Sequence, residues 1–462
     1  MRFLLKIFLL SAISYNSVLG QNLSKTELQN ILANSLNYLA QVQETETVRD
    51  SIFKGEWPST MGLKNTYILL GYSQDFRDSN CFTQAGIFNI LAEMYLADTS
   101  QKQILPMLRN ALPEILSYRD NDTFNFWKKL KPNKPLSKKG PHPPNYLAHR
   151  PTNYVLRSRF INNAADIAND ADDTAAGNLA LYYYASIFGE NIENLATSKT
   201  FDNWLDEKRN NYHWYNYIHK IPRPSQAYMT WMAPEYQFKR WNFVKQALHN
   251  CVFYLKGSSC FPHPYERYVP WGANDIDAVV NANVLNYLTK SHQIEASKGR
   301  EGAISLIQDT IDRERWSRAG LYYPNRYHIH YVFSKSIGSF KSEFETQTEA
   351  LVTHLQNSQQ ADGSFESRRK ANKKDRLQST VYALSTMLNL KKLGYNISNS
   401  SIESAMNYVL SQKIRGDQDA NYWKGGVFFS GGTVVRNVLF FKSDAYTTAL
   451  VAQCLQNYIQ LY

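Results

Sequence analysis

Two kinds of helix-length segment alternate along this chain. Residues 24–43 place apolar side chains at helical spacing between polar ones, and Ser24 with Glu27 three positions on reads as a capping box. Residues 82–96 carry far less charge. The alternation continues: 102–118 is amphipathic, 174–188 nearly all apolar, 239–255 amphipathic, 278–288 apolar and 294–314 amphipathic. Less cleanly, 327–337, 377–393 and 445–459 read as further apolar helices, with 342–356 and 400–412 as amphipathic ones. A helix apolar on every side is buried on every side, whereas one with a single apolar stripe packs outside it. The pattern therefore predicts an all-α fold, an α/α toroid of about six inner and outer helix pairs. Its inner helices run the same way, so their N-termini converge on one mouth.

Composition fits one large core: 462 residues, 43% hydrophobic and 14% aromatic, exclude a disordered chain. Residues 1–20 combine Arg2 and Lys6, an apolar run over 7–13 and the small-residue end Val18-Leu19-Gly20, which reads as an export signal. The expected organisation is thus a signal at 1–20 and a single toroid domain over 21–462, exported or secreted, an uncleaved anchor being the alternative. No later run reaches the roughly 18 apolar residues of a membrane span, so no integral span is expected. The formal charge of +11, or +9 without Arg2 and Lys6, favours anionic partners; no nucleic-acid partner is expected. A basic, Pro-rich insert at 124–159 and a second basic loop at 368–374 are either solvated or folded over the mouth to hold an anion. Cys251 and Cys260 are spaced to close a local loop, while Cys81 and Cys454 sit among apolar helical residues. Sequons stand at Asn22, Asn121, Asn396 and Asn399.

The chemistry concentrates at Asn169-Asp170-Ala171-Asp172-Asp173-Thr174-Ala175-Ala176-Gly177, directly before an inner helix. A helix start favours ionised Asp, but crowding three acids penalises ionising them all, so one proton is shared or retained. A retained proton near neutral pH is what a general acid requires; the bland alternative is an N-cap with two dipole partners. Asn274-Asp275-Ile276-Asp277 echoes this stretch before the next inner helix, and Asp78 and Ser443-Asp444 echo it more faintly. Aromatic connections carrying Tyr265, Trp271, Tyr322 and Tyr323 would cover the mouth as turns and short hairpins.

Asp170-Ala171-Asp172-Asp173-Thr174-Ala175 with Leu179-Ala180-Leu181 resembles the Asp-x-Asp-Asp-Thr-Ala signature of class II terpene cyclases, the squalene–hopene cyclase and copalyl diphosphate synthase group. The resemblance implies an α/α toroid in which Asp172 protonates a double bond or epoxide and Asp170 and Asp173 flank it. It implies a polyprenyl substrate and no metal or other cofactor. Gln359-Gln360-Ala361-Asp362-Gly363-Ser364-Phe365 is similar to the Gln, Gly-x-aromatic repeat of the same family, and Gly55-Glu56-Trp57 more loosely so. The chain has no room for a second toroid, no Asp-Asp-x-x-Asp and no His/Cys metal spacing. The alternative is a polysaccharide hydrolase or lyase. There Asp172 or Asp173 would face Asp275 or Asp277 across the mouth, or His263, Tyr265, His328 or His330 would act as base. A binding protein with Asp caps is the third reading. Asp275, Asp277, Trp271, Tyr265 and Tyr323 are the expected substrate-contacting residues.

Overall fold

The computed structural model describes residues 23–63, 74–131, 147–153, 167–207, 224–233, 275–367, 375–431 and 438–462. The export signal, the outer helix expected at 239–255, Cys251, Cys260, His263, Tyr265, Trp271, the loop at 368–374 and most of the 124–159 insert lie outside the described residues.

Among the described residues twelve α-helices alternate as the polarity pattern predicts. The inner ones are α2 (Cys81–Ala97), α4 (Ala171–Phe188), α6 (Ala278–Lys290), α8 (His328–Ser336), α10 (Arg376–Lys392) and α12 (Asp444–Leu461). Each packs on the next and α12 packs back on α2, which closes the ring. Outside it lie α1 (Lys25–Val42), α3 (Ile104–Leu116), α5 (Ser198–Asp202), α7 (Arg300–Asp312), α9 (Glu345–Ser358) and α11 (Asn399–Ser411). The capping box at Ser24 and Glu27 is present. None of the described helices is long and apolar enough to cross a membrane.

Two outer elements differ from expectation. The short α5 is not visible in the periodicity; Phe201 anchors it against the Tyr228 and Tyr287 rings. The segment read as one helix over 294–314 is broken, because the Asp202 carboxylate accepts from Ser297 Oγ at 2.6 Å, Lys298 N at 2.9 Å and Gly299 N at 3.2 Å. Those donors serve a distant side chain, so the helix restarts at Arg300.

A recurring joint follows two outer helices. After α1, Gln43 Nε2 donates to the carbonyls of Gly55 and Met107, both at 2.9 Å. After α9, Gln359 Nε2 donates to those of Gly363 and Ser401. Gly55 and Gly363 have φ of +89° and +84°, and a Cβ on either would fall about 2 Å from a carbonyl oxygen of the next outer helix, that of Asn110 or Ser404. Only glycine serves both demands. The aromatic two positions on, Trp57 or Phe365, is fully buried. Trp57 Nε1 reaches the Leu39 carbonyl of α1, and Trp423 Nε1 the Val409 carbonyl of α11.

The two ends of the chain meet in an antiparallel sheet of order β2-β1-β4-β3, with β1 Thr60–Leu63, β2 Phe76–Arg77, β3 Val427–Gly431 and β4 Leu439–Lys442. Met61 pairs with Phe441 and Phe441 with Phe429. The described part of the basic insert is only partly solvated. Lys128 is buried against Glu114 at 2.5 Å, and Arg150 spends its guanidinium on the carbonyls of Lys131, Pro151 and Thr152. Cys81 and Cys454 are buried free thiols.

Candidate functional site

Five of the six inner helices start on a side-chain cap: Asn80, Asp170, Asp277, Asp375 and Ser443. Such residues accept the orphan N–H groups of a first turn. The six starts share one end of the ring, which is the mouth.

The acids of the Asp170–Asp173 stretch part company there, because successive helical residues point about 100° apart. Asp170 caps α4, taking Asp173 N at 2.8 Å on Oδ1, while its own N–H reaches the Phe124 carbonyl. Asp173 turns toward α2 and Cys81. Burial raises Asp170 to about 6, and burial together with the Asp170 charge holds Asp173 well above the carboxylate range, so this pair shares a proton. Asp172 turns the other way, toward α6. Its Oδ1 accepts from Asn283 Nδ2 at 2.6 Å and its Oδ2 from the Tyr323 hydroxyl. Burial, then the charge of Asp170, pushes the Asp172 carboxyl well above its ordinary range. Gly177 closes the stretch because the Phe124 ring lies against it; a Cβ there would stand 2.6 Å from that ring.

Asp275 and Asp277 also separate. Asp277 is consumed by backbone: Oδ1 takes Val279 N at 2.8 Å and Val280 N at 3.2 Å, and Oδ2 takes Leu321 N at 2.5 Å. Asp275 is buried, with Oδ1 bound by Trp231 Nε1 and the Tyr322 hydroxyl, both at 3.1 Å, and burial raises it to about 6. Tyr323 is the expected contact residue that reaches Asp172; Tyr265 and Trp271 lie outside the described residues.

Inside the ring of inner helices lies a cavity of about 70 Å³, and Asn283 on its wall is the residue whose amide holds Asp172 Oδ1. Phe82, Ile90, Leu179, Tyr331, Val332 and Tyr446 give it mostly apolar walls, interrupted by Asn89, Asn283, Asn286, His328 and Lys335. The Tyr323 ring lies 4.3 Å from that of His328 and 5.8 Å from that of Phe82, linking Asp172 to the cavity wall. Phe429 of β3 plugs the mouth, with the rings of Phe82, Phe126, Tyr322, Tyr323 and Phe441 all within 6 Å. His328 makes no side-chain hydrogen bond among the described residues, and burial drives its pKa down to about 3. Among the described residues no three His, Cys, Asp or Glu side chains are grouped so as to hold a metal ion. Asn283 was not among the residues expected from sequence, yet a polar side chain on so apolar a helix is a signal in itself.

No family model and no curated protein matches the sequence. Solved structures do. Type II terpene cyclase MstE from Scytonema superposes with a TM-score of 0.52 at 11% identity, covering 94% of this chain and 100% of that one. A substituted form of MstE in complex with geranylgeranyl dihydroxybenzoate also gives 0.52 at 11% identity, over 95% and 100%. A protein from Actinoplanes gives 0.51 at 12% identity, over 92% and 99%. At such identities the likeness is one of fold. It makes the α/α toroid secure and does not choose between isoprenoid and glycan chemistry.

Proposed function

We propose that this protein is an isoprenoid cyclase that starts its reaction by proton transfer from Asp172. The observation that carries the reading is a buried carboxyl, held in its acid form, one residue behind the wall of an aromatic-lined cavity and bound to Asn283 of that wall. The engagement of Asp277 with three backbone N–H groups, and of Asp275 Oδ1 with Trp231 Nε1 and the Tyr322 hydroxyl, favours it over an acid–base pair spanning the mouth. MstE, similar in fold, is named as a type II terpene cyclase.

A hydroxyl both donates and accepts, so in the acid form the bond to Tyr323 reverses and Asp172 keeps its proton on Oδ2. The proton passes to one carbon of an alkene; the π pair forms the new C–H bond and leaves a cation on the neighbouring carbon. The next double bond closes a C–C bond onto that cation, and the faces of Phe82, Tyr331 and Tyr446 stabilise the charge as it moves. Asn283 steadies the carboxylate left behind. Loss of a proton from the last cation to His328 restores an alkene; the imidazole is a weak base here, but a carbocation is a far stronger acid. His328 then gives up its proton to solvent and Asp172 takes one back by way of the Tyr323 hydroxyl, so both groups return to their starting forms. The sum is an isomerisation needing no cofactor.

The test is a panel of linear isoprenoids, C15 to C30 alcohols and epoxides, analysed for cyclic isomers by gas chromatography–mass spectrometry. Wild type gives a cyclised product and Asp172→Asn, folded by circular dichroism, gives none. Turnover of a glycan panel instead, or undiminished activity in Asp172→Asn, sinks the proposal.

A further inference from the structure

The cavity is polarised along its length. At one end stands His328, with Tyr323 against its ring and Asp172 bound to Tyr323 behind it. Seven residues further along α8 lies Lys335, and seven along α2 from Phe82 lies Asn89, a drop of about 10 Å at 1.5 Å per residue. At this floor stand three polar side chains that the proton chemistry does not use.

Asn89 is 6% exposed; its Nδ2 donates to the Ala176 carbonyl at 3.0 Å and its Oδ1 has no partner. Asn286, also 6% exposed, makes no side-chain hydrogen bond among the described residues. Lys335 is held to Glu93 at 3.1 Å and lies over the Tyr331 ring. Glu93 in turn accepts from Gln453 at 2.8 Å and from the Tyr183 hydroxyl at 3.2 Å. Leaving a buried amide oxygen unpaired is costly, so a group that donates to it from within the cavity is worth a large discrimination.

We propose that the floor is a head-group subsite selecting an isoprenoid with an uncharged oxygen function, a hydroxyl above all, over the bare hydrocarbon and over the diphosphate. Asn89 accepts from the hydroxyl and Asn286 donates to it, while the far end of the chain reaches the end at His328. Charge argues against a diphosphate here. All six inner helices point their C-termini, the negative ends of their dipoles, toward this side of the ring. Lys335 is already neutralised by Glu93, and among the described residues the further cation that acts on Glu93 is Lys290 at the end of α6.

The subsite rests on the cyclase reading for the orientation of its ligand, and the experiment separates the two. Farnesol, farnesene and farnesyl diphosphate share one chain and differ at the head. Their binding is measured by calorimetry to wild type and to Asp172→Asn, which holds ligand without turnover. Farnesol is expected to bind about ten-fold more tightly than either other probe. Asn89→Leu, and separately Asn286→Leu should the first misfold, bring farnesol to within about two-fold of farnesene and leave farnesene unchanged. Equal binding of farnesol and farnesene, tightest binding of the diphosphate, no binding of any probe, or unaltered preference in both folded variants overturns the subsite. The preference without any cyclised product removes the cyclase reading and keeps the subsite; product without the preference does the reverse.

Discussion

Asp277 and Asp172 each stand at the start of an inner helix, and the structure assigns them opposite sensitivities. In Asp277→Asn, Oδ1 still caps Val279 and Val280, but an amide NH₂ replaces the Oδ2 that takes Leu321 N at 2.5 Å. A buried N–H then faces another donor, which costs about 1–3 kcal/mol. Loss of the carboxylate from a helix N-terminus adds about 0.3–1 kcal/mol. The sum is about 1–4 kcal/mol, read as a lower urea midpoint at 222 nm. Activity per folded molecule changes little, because Asp277 makes no hydrogen bond to Asp172 and its charge is the least of the influences that raise that carboxyl. In Asp172→Asn both contacts survive: Oδ1 accepts from Asn283 and Nδ2 donates to the Tyr323 oxygen, so the stability cost stays under about 1 kcal/mol. Removing the acid lowers turnover by about 10²–10⁴. The two variants thus dissociate stability from activity in opposite directions. If Asp277→Asn is stable but inactive, Asp277 is a reacting carboxylate, the assignment of Asp172 as sole acid fails, and a pair of acids across the mouth takes its place.

Gly177→Ala should cost about 1–3 kcal/mol, because its Cβ meets the buried Phe124 ring at 2.6 Å; the urea midpoint falls, and Phe124→Leu in the same chain recovers part of the loss. Lys128→Met should cost about 3–5 kcal/mol by stranding Glu114, whose pKa burial already raises to about 7, and adding Glu114→Gln should restore most of it in the same measurement. Burial also raises Asp78 to about 7, so between about pH 4 and 7 the folded state keeps a proton that the unfolded chain has released. Its contribution is full below pH 4 and is lost as pH rises through 7, an effect of up to about 4 kcal/mol. Asp78→Asn should therefore narrow the difference between urea midpoints at pH 5 and pH 8; an unchanged difference refutes the shift.

The polarity pattern exposed the ring because an inner helix leaves no solvent face, and that shows in any short window of sequence. Long-range facts do not show there. Thr60–Leu63 gives no sign that it pairs with Leu439–Lys442, nor Asp202 that it breaks the helix at Gly299. At the mouth, spacing alone makes adjacent Asp172 and Asp173 diverge, but which helix each faces depends on the ring. Most of the site was nonetheless open to one further step of the same reasoning. Inner helices are defined by the lack of polar residues, so each polar residue that persists on one must be explained. Asn178 and Asn281 are: each binds the carbonyl one turn back, Thr174 or Asp277, and a backbone N–H and carbonyl of the adjoining loops. Asn283 is explained by Asp172. Unpaired atoms occur elsewhere on these helices too, at Thr289, Gln378 and Gln456, but Asn89 Oδ1, Asn286 and His328, left with no such partner among the described residues, all line the same cavity. Polar groups that the fold does not satisfy are retained where something else does, which makes the ligand, rather than the protein, the missing term in that account.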